Sequence, residues 1–141
     1  MPTFALNKME LPVTASVEVC WLEIDGSAPF VDFTARMEKS GKRSDLVKLS
    51  VLFEEIAHGR QLPRNALKEL KGVPAEDDWR EYELRKNQIR VYFFLIPPDN
   101  NIVVMGEFKK KDKEQRKNIT KFREIKAAFK AAYLRGELEE E

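Results

Sequence analysis

Two arginines beside a predicted turn are the side chains of this 141-residue sequence that are best suited to chemistry. If residues 86–89 form a turn between paired strands, Arg85 faces Arg90 across the hairpin. Two guanidinium groups in that position repel each other unless an anion lies beside them, and the planar fork of arginine donors matches phosphate oxygens. The pair therefore indicates a phosphate-binding site. The alternative is that Arg85 pairs with Glu83 or Glu81 and that Arg90 extends its charged end to the surface.

A basic segment follows the last predicted strand and can close on the same place. Residues 109–130 include ten basic and three acidic residues, although the whole chain has a formal net charge of only +1. Such a separation of charge can produce a local positive potential on a nearly neutral protein. The segment therefore predicts contacts with an RNA backbone, and the alternative is an ordinary solvated helix face. The candidate RNA-binding residues are Lys109, Lys113, Arg116 and Lys117.

Other kinds of active site find little support in the sequence. His58 and Cys20 are the only histidine and the only cysteine, and one of each cannot form a zinc site. His58 lies near a predicted helix C-terminus, where a cationic ring would interact favourably with the helix dipole. The sequence contains no glycine-rich phosphate loop. We therefore expect no metal and no small-molecule cofactor.

The sequence also bears on the location of the protein. A single cysteine, placed in an apolar run, rules out an intramolecular disulfide and fits a reducing compartment. The first residues lack the apolar stretch of a signal peptide. No apolar run approaches the ~18 residues that a membrane span needs. We therefore expect a cytoplasmic protein that does not bind membranes.

Hydrophobic periodicity predicts the elements that position these side chains. Apolar residues recur every three or four positions in two consecutive segments that end at Gly41 and Gly59, and again in the basic segment. Alternating or continuous apolar runs predict strands at residues 15–24, 66–70, 79–85, 89–96 and 102–108. Tyr92 and Phe94 are expected in the core. The predicted fold class is α+β, with a twisted, mainly antiparallel sheet, an N-terminal helical hairpin and a C-terminal helix.

The chain divides into three parts. Residues 1–14 have no clear period and are predicted to be an arm or an extra strand. Residues 15–135 form the one folded domain, whose length is typical of a single domain. Residues 136–141 are an acidic tail, which we expect to be disordered.

The order of several short motifs resembles the HigB-like branch of the RelE/ParE toxins. That branch has an LKG loop, an aromatic residue, an ELR motif, an aromatic strand that begins with RV, and a strand end of the form GxFxKK. The likeness covers about residues 15–133, and it depends on the order and spacing of the motifs together. The matching positions are Leu70 to Gly72, Trp79, Glu83 to Arg85, Arg90 and Val91, and Gly106 to Lys111.

The resemblance implies a fold, an activity and partners. The fold would be the compact RelE type, and the activity would be metal-free cleavage of mRNA, often on the ribosome. The protein would be the toxin of a type II toxin–antitoxin system, and a cognate antitoxin would neutralise it. Arg85 and Arg90 match positions that line the phosphate-binding cleft, and Lys110 and Lys111 match the lysine pair of the branch.

Cleavage of this kind requires attack of a 2′-hydroxyl on the adjacent phosphate. Arg85 and Arg90 would stabilise the charge on the phosphate, and Lys110 or Lys111 would stabilise charge or donate a proton. Glu83 is a candidate general base, although it could instead only orient Arg85. Some relatives have a Tyr or His after the lysine pair, but residues 112–117 contain neither.

A second departure from the family pattern also leaves the general base open. Lysines that precede the ELR motif in RelE are replaced here by Glu81 and Glu83. Two other functions therefore stay in consideration. One is a ParE-type gyrase poison, which would not need the cluster of basic side chains. The other is a non-catalytic binding or regulatory protein of the same fold.

Overall fold

The computed structural model of the chain describes residues 2–11 and 17–139. Within these residues the chain forms seven strands and three helices, and a single sheet contains every strand. In chain order the elements are β1 (Phe4–Lys8), β2 (Glu18–Ile24), α1 (Pro29–Lys39), α2 (Arg43–Ala57), β3 (Leu67–Glu69), β4 (Glu81–Lys86), β5 (Ile89–Ile96), β6 (Asn100–Phe108), α3 (Asp112–Leu134) and β7 (Leu138–Glu139).

The sheet is mixed, with the strand order β3-β4-β5-β6-β2-β1-β7. Strands β3 to β6 pair in antiparallel fashion with their sequence neighbours, and β1 pairs antiparallel with β2. By contrast, β2 pairs parallel with β6, and β7 pairs parallel with β1. The parallel β2–β6 contact joins the N-terminal strands to the β4–β5–β6 part of the sheet.

The predicted RelE-like layout is wrong. Strands β1 and β2 form the N-terminus of the described chain, so α1 and α2 are not an N-terminal hairpin, and the sheet is mixed. Local hydrophobic patterns could not show this, because they indicate which side of a strand is buried but not which strand lies next to it. Strand β1 forms because its backbone pairs with β2 on one side and β7 on the other.

Each face of the sheet has its own core. Helices α1 and α2 cover one face, where Phe33 and Phe53 pack against Val91 and Phe93. Helix α3 covers the other face, where Phe122 and Phe129 pack against the fully buried Tyr92 and Phe94. The prediction that Tyr92 and Phe94 belong to the core is therefore confirmed.

Gly106 lets α1 approach the sheet closely. A Cβ atom at this position would lie 2.5 Å from the ring of Phe33, well inside van der Waals contact. Strand β6 therefore needs glycine here for packing, which explains the glycine of the GxFxKK motif.

Three further predicted features can be placed. His58 is the C-cap residue of α2, and Cys20 is buried in the core beneath α3. Of the segment predicted to be an acidic tail, Leu138 and Glu139 form β7, and Leu138 packs against the same core. Glu140 and Glu141, with residues 1 and 12–16, lie outside the described residues.

Candidate functional site

The β4–β5 hairpin places the two predicted arginines side by side. Arg85 pairs with Arg90 in the antiparallel register, as the sequence predicts, and Arg90 pairs in turn with Glu107 of β6. Residues directly opposite each other on paired strands point to the same face. Arg90 Nη1 also donates hydrogen bonds to the carbonyl oxygens of Asn87 and Ile89, at 2.6 and 3.0 Å, which fixes its end near the turn.

The buried carboxylate of Glu83 binds both guanidinium groups. Its Oε2 accepts hydrogen bonds from Nε and Nη2 of Arg85 at 3.2 and 3.1 Å, and its Oε1 lies 3.3 Å from Arg90 Nε. Gln115 of α3 donates a further hydrogen bond to Oε1 at 2.6 Å. Since only 1% of the Glu83 side chain is exposed, these ion pairs lie in a medium of low dielectric constant. The chain itself thus supplies the anion that allows two arginines to sit together.

The two arginines differ in their access to solvent. The side chain of Arg85 is 31% exposed, whereas that of Arg90 is 14% exposed. Arg90 Nε is buried. Among the described residues it is the one buried side-chain nitrogen or oxygen atom that lacks a hydrogen-bond partner. Buried donors are almost always satisfied, so Arg90 is the under-bonded member of the cluster.

Tyr92 lies next to this cluster but is closed to any ligand. Its hydroxyl donates a 2.6 Å hydrogen bond to Glu107 Oε2, and the residue is fully buried. Burial, together with the neighbouring Glu107 carboxylate, holds the pKa of Tyr92 well above its ordinary value. Tyr92 therefore stays protonated, and its role is structural rather than that of a proton carrier.

The predicted lysines lie at the same end of the sheet as the hairpin turn. Lys109 donates its backbone N–H to Gln88 O at 2.6 Å, which fastens the β6–α3 connection to the turn. Lys109 Nζ is 2.8 Å from Asp112. Lys110 and Lys111 are exposed, and neither side chain forms a hydrogen bond or an ion pair with another residue of the described chain.

We call this arrangement the basic end of the sheet. It places five of the predicted site residues at one end of the sheet, where their side chains differ in pairing. Arg85 and Arg90 are paired with Glu83, Lys109 is paired with Asp112, and Lys110 and Lys111 are unpaired. The basic end consists of Arg85, Arg90, Lys109, Lys110 and Lys111.

The first turns of α3 carry the remaining predicted RNA-binding residues. Lys113, Arg116 and Lys117 are exposed on the helix that begins at the basic end. Gln115, in the same turns, reaches Glu83, so this part of α3 lies against β4. The positive surface of the helix is therefore continuous with the basic end.

A second ionic cluster, which the sequence did not reveal, holds the loop before β4 against α3. Lys126 is 95% buried and lies 2.9 Å from Asp77 and 3.0 Å from Glu81. Arg123 Nε lies 2.7 Å from Glu81, and Lys130 Nζ lies 2.9 Å from Asp77. A usable signal existed, since Lys126 lies four residues after Phe122 and three before Phe129, on the apolar stripe of the helix.

The charges of this second cluster are balanced by specific bonds. Desolvation acts to raise the pKa of Asp77, but hydrogen bonds from Lys130 and Lys126 outweigh it and lower the pKa to about 2. Lys126 also donates a hydrogen bond to the backbone carbonyl of Trp79. We therefore interpret this cluster as structural.

Comparison with known proteins adds nothing to the family assignment. No protein-family model matches the sequence, and none of the curated proteins does. Among the described residues, no group of three or more His, Cys, Asp or Glu side chains is placed to hold a metal ion. The helices in the described part of the chain are all too short or too polar to cross a membrane. The resemblance to the RelE/ParE toxins thus stays a prediction from the motifs.

Proposed function

We propose that this protein binds RNA at the basic end of the sheet and cleaves its backbone, as the toxin of a toxin–antitoxin pair. The observation that supports this best is the position of Arg85, which is partly exposed, held by Glu83, and at the same end of the sheet as two lysines whose side chains have no partner among the described residues. A fixed guanidinium group binds phosphate at a smaller entropic cost than a mobile one.

Each residue of the basic end has a role in this proposal. Arg85 would stabilise the charge that develops on the phosphate during attack by the 2′-hydroxyl, and Arg90, paired with the same Glu83, would add to the positive potential behind it. Lys110 or Lys111 would neutralise the departing oxygen by donating a proton. These steps require only side chains of the chain itself.

Glu83 has a positioning role rather than that of a general base. Its carboxylate is 1% exposed and is already bound to Arg85, Arg90 and Gln115, so it cannot reach a ribose hydroxyl. The 2′-hydroxyl proton would then pass to water. Because a well-placed acid or base contributes typically ~10²–10⁴-fold, we expect cleavage of free RNA to be slow.

The proposal also implies partners and a location. An mRNA, alone or on the ribosome, would be the substrate, and the site of action would be the cytoplasm. The antitoxin would neutralise the protein by covering the basic end, for which an acidic segment has the complementary charge.

The decisive experiment compares RNA cleavage by the parent protein and by variants of the basic end. Labelled RNA is incubated in the presence of EDTA, and the products are examined for 2′,3′-cyclic phosphate ends. We expect the parent protein to cleave this RNA slowly. RNA whose sugars carry 2′-O-methyl groups should not be cleaved, because it lacks the attacking hydroxyl. Arg85→Ala should lower the rate by ~10²–10³-fold, the usual effect of removing one donor to a developing oxyanion.

Controls separate this role from a loss of folding. Lys48→Ala changes an exposed lysine on α2, on the opposite face of the sheet, and should cleave RNA as the parent does.

Arg90→Ala should abolish growth arrest in cells while its circular dichroism spectrum is unchanged. RNA binding without cleavage would identify a non-catalytic binding protein, and gyrase inhibition without RNA binding would identify a ParE-type poison.

A further inference from the structure

A groove beside the basic end is lined by cations that the proposed cleavage does not use. It lies between β3, with the turn that follows it, and one side of α3, and its volume is about 380 Å³. The cationic residues that line it are Lys68, Lys71, Arg116 and Arg123, and no carboxylate residue is among its lining residues. Its floor includes the apolar side chains of Leu70 and Ile119.

Three of these four cations are free to bind a ligand. The side chains of Lys68, Lys71 and Arg116 form no hydrogen bond or ion pair with any residue in the described ranges, 2–11 and 17–139. Arg123 differs, because it pairs with Glu81 and donates to the Lys71 carbonyl. Like charges gathered in one concavity raise the local potential and attract an anion.

The groove is built on a stiff frame. Arg123 connects α3 to β4 through Glu81 and to the turn after β3 through the Lys71 backbone, so hydrogen bonds join the two walls of the groove. Gly72 forms the turn after β3 with a φ of +91°, a left-handed conformation that favours glycine. A preformed site of this kind loses less entropy on binding.

The groove is also continuous with the basic end. Lys68 is the direct cross-strand partner of Glu83, the carboxylate that holds Arg85 and Arg90. Adjacent strands lie about 4.8 Å apart, so Lys68 is beside the proposed cleavage site and the groove extends away from it.

We propose that the groove binds a second part of the same single RNA strand, with neighbouring phosphates on Lys68 and Arg116. This inference rests on the proposed RNA binding at the basic end. Leu70 and Ile119 would pack against a ribose or the edge of a base, and the Thr120 hydroxyl lines the same wall. A single strand fits better than a duplex, because the cations face one another across a groove rather than forming a flat surface.

The test measures how affinity depends on the length of the RNA. Oligouridylates with 2′-O-methyl sugars, which lack the attacking hydroxyl, are titrated by fluorescence anisotropy at several salt concentrations. We expect the double variant Lys68→Ala, Arg116→Ala to bind a long oligonucleotide on the order of tenfold more weakly, with a salt slope about 1.4 smaller, because each single-strand phosphate contact contributes ~0.7. The loss should be smaller for a dinucleotide than for the long oligonucleotide, because a dinucleotide bound at the basic end does not extend along the groove.

A matched control variant and two possible negative results separate the groove inference from the proposed function. The control Arg43→Ala, Lys48→Ala also removes one arginine and one lysine, both exposed on α2, and should bind every length as the parent does. If the parent binds long RNA but the groove variant binds it equally well, the groove inference is wrong and the proposed function stands. If the parent binds no RNA of any length, both are wrong. Stronger competition by a phosphoserine peptide of equal charge would show instead that the groove takes a protein ligand.

Discussion

In the first half of α3, Lys113, Lys117 and Lys121 are exposed, and within the described ranges none of them pairs with another side chain. In the second half, Lys126 and Lys130 both bind Asp77. The residue type is the same in both halves, and Lys121 lies only five residues before Lys126. A run of basic residues is therefore not one functional unit, because each turn of the helix faces a different environment.

The cause of the difference is the loop between β3 and β4. This loop places Asp77 beside Lys126 and Lys130, and Glu81, at the start of β4, also binds Lys126. In the first half of α3, Gln115 reaches Glu83, whose charge is already paired with Arg85 and Arg90. The second half therefore contributes to stability, and the first half leaves its charges available for RNA.

The largest expected effect is that of removing the buried ammonium group. Lys126→Met should lower the free energy of unfolding by about 3–5 kcal/mol, since it leaves the carboxylates of Asp77 and Glu81 without their shared partner. Urea denaturation measures the change. The matched variant Lys117→Met, in the exposed half, should change stability by less than about 0.5 kcal/mol. Equal losses in the two variants would contradict the distinction between the halves.

Acid should weaken the second half of the helix. The pKa of Asp77 is lowered from 3.8 to about 2, so its stabilising contribution is present above pH 4 and is lost as the pH falls from 4 towards 2. The loss is at most about 2 kcal/mol, given 1.36 kcal/mol for each unit. Denaturation of the parent and of Asp77→Asn across this range measures it. The variant should show a flatter dependence on pH, and parallel curves would rule out Asp77 as the source.

Lys130→Ala should have a smaller effect than Lys126→Met. Its ammonium group is 31% exposed, binds Asp77 at 2.9 Å, and lies 4.9 Å above the ring of Trp79. Partly exposed pairs of this kind contribute up to about 1 kcal/mol. Thermal or urea unfolding followed by tryptophan fluorescence measures the loss. A loss as large as that of Lys126→Met would mean that burial does not decide the strength of these pairs.

Substitutions of the exposed lysines in the first half of α3 should have the smallest effect on stability and the clearest effect on RNA binding. Lys113→Ala and Lys117→Ala should each reduce the slope of log K against log salt for single-stranded RNA by about 0.7, without a change in stability. Lys130→Ala should leave the slope unchanged, since its charge is already paired. An identical reduction in all three variants would show that RNA contacts the whole helix.

Much of the site's local geometry could be predicted from the sequence. The opposition of Arg85 and Arg90 followed from alternation on both strands and a short turn, because a period of two and a fixed turn length together set the register. The predicted range 89–96 agrees with β5, and Tyr92 and Phe94 are in the core. These features depend on residues that are close in the chain.

Only the tertiary structure decided which charges are free and how the sheet is ordered. The apolar positions around Lys126 indicate that it lies on the buried side of α3, but they do not indicate that its partner is Asp77, a residue 49 positions away. The parallel pairing of β2 with β6 likewise joins distant segments, and the expected layout was wrong for that reason. A sequence pattern records the side on which a residue is buried, whereas the identity of its neighbours depends on long-range packing that no local period contains.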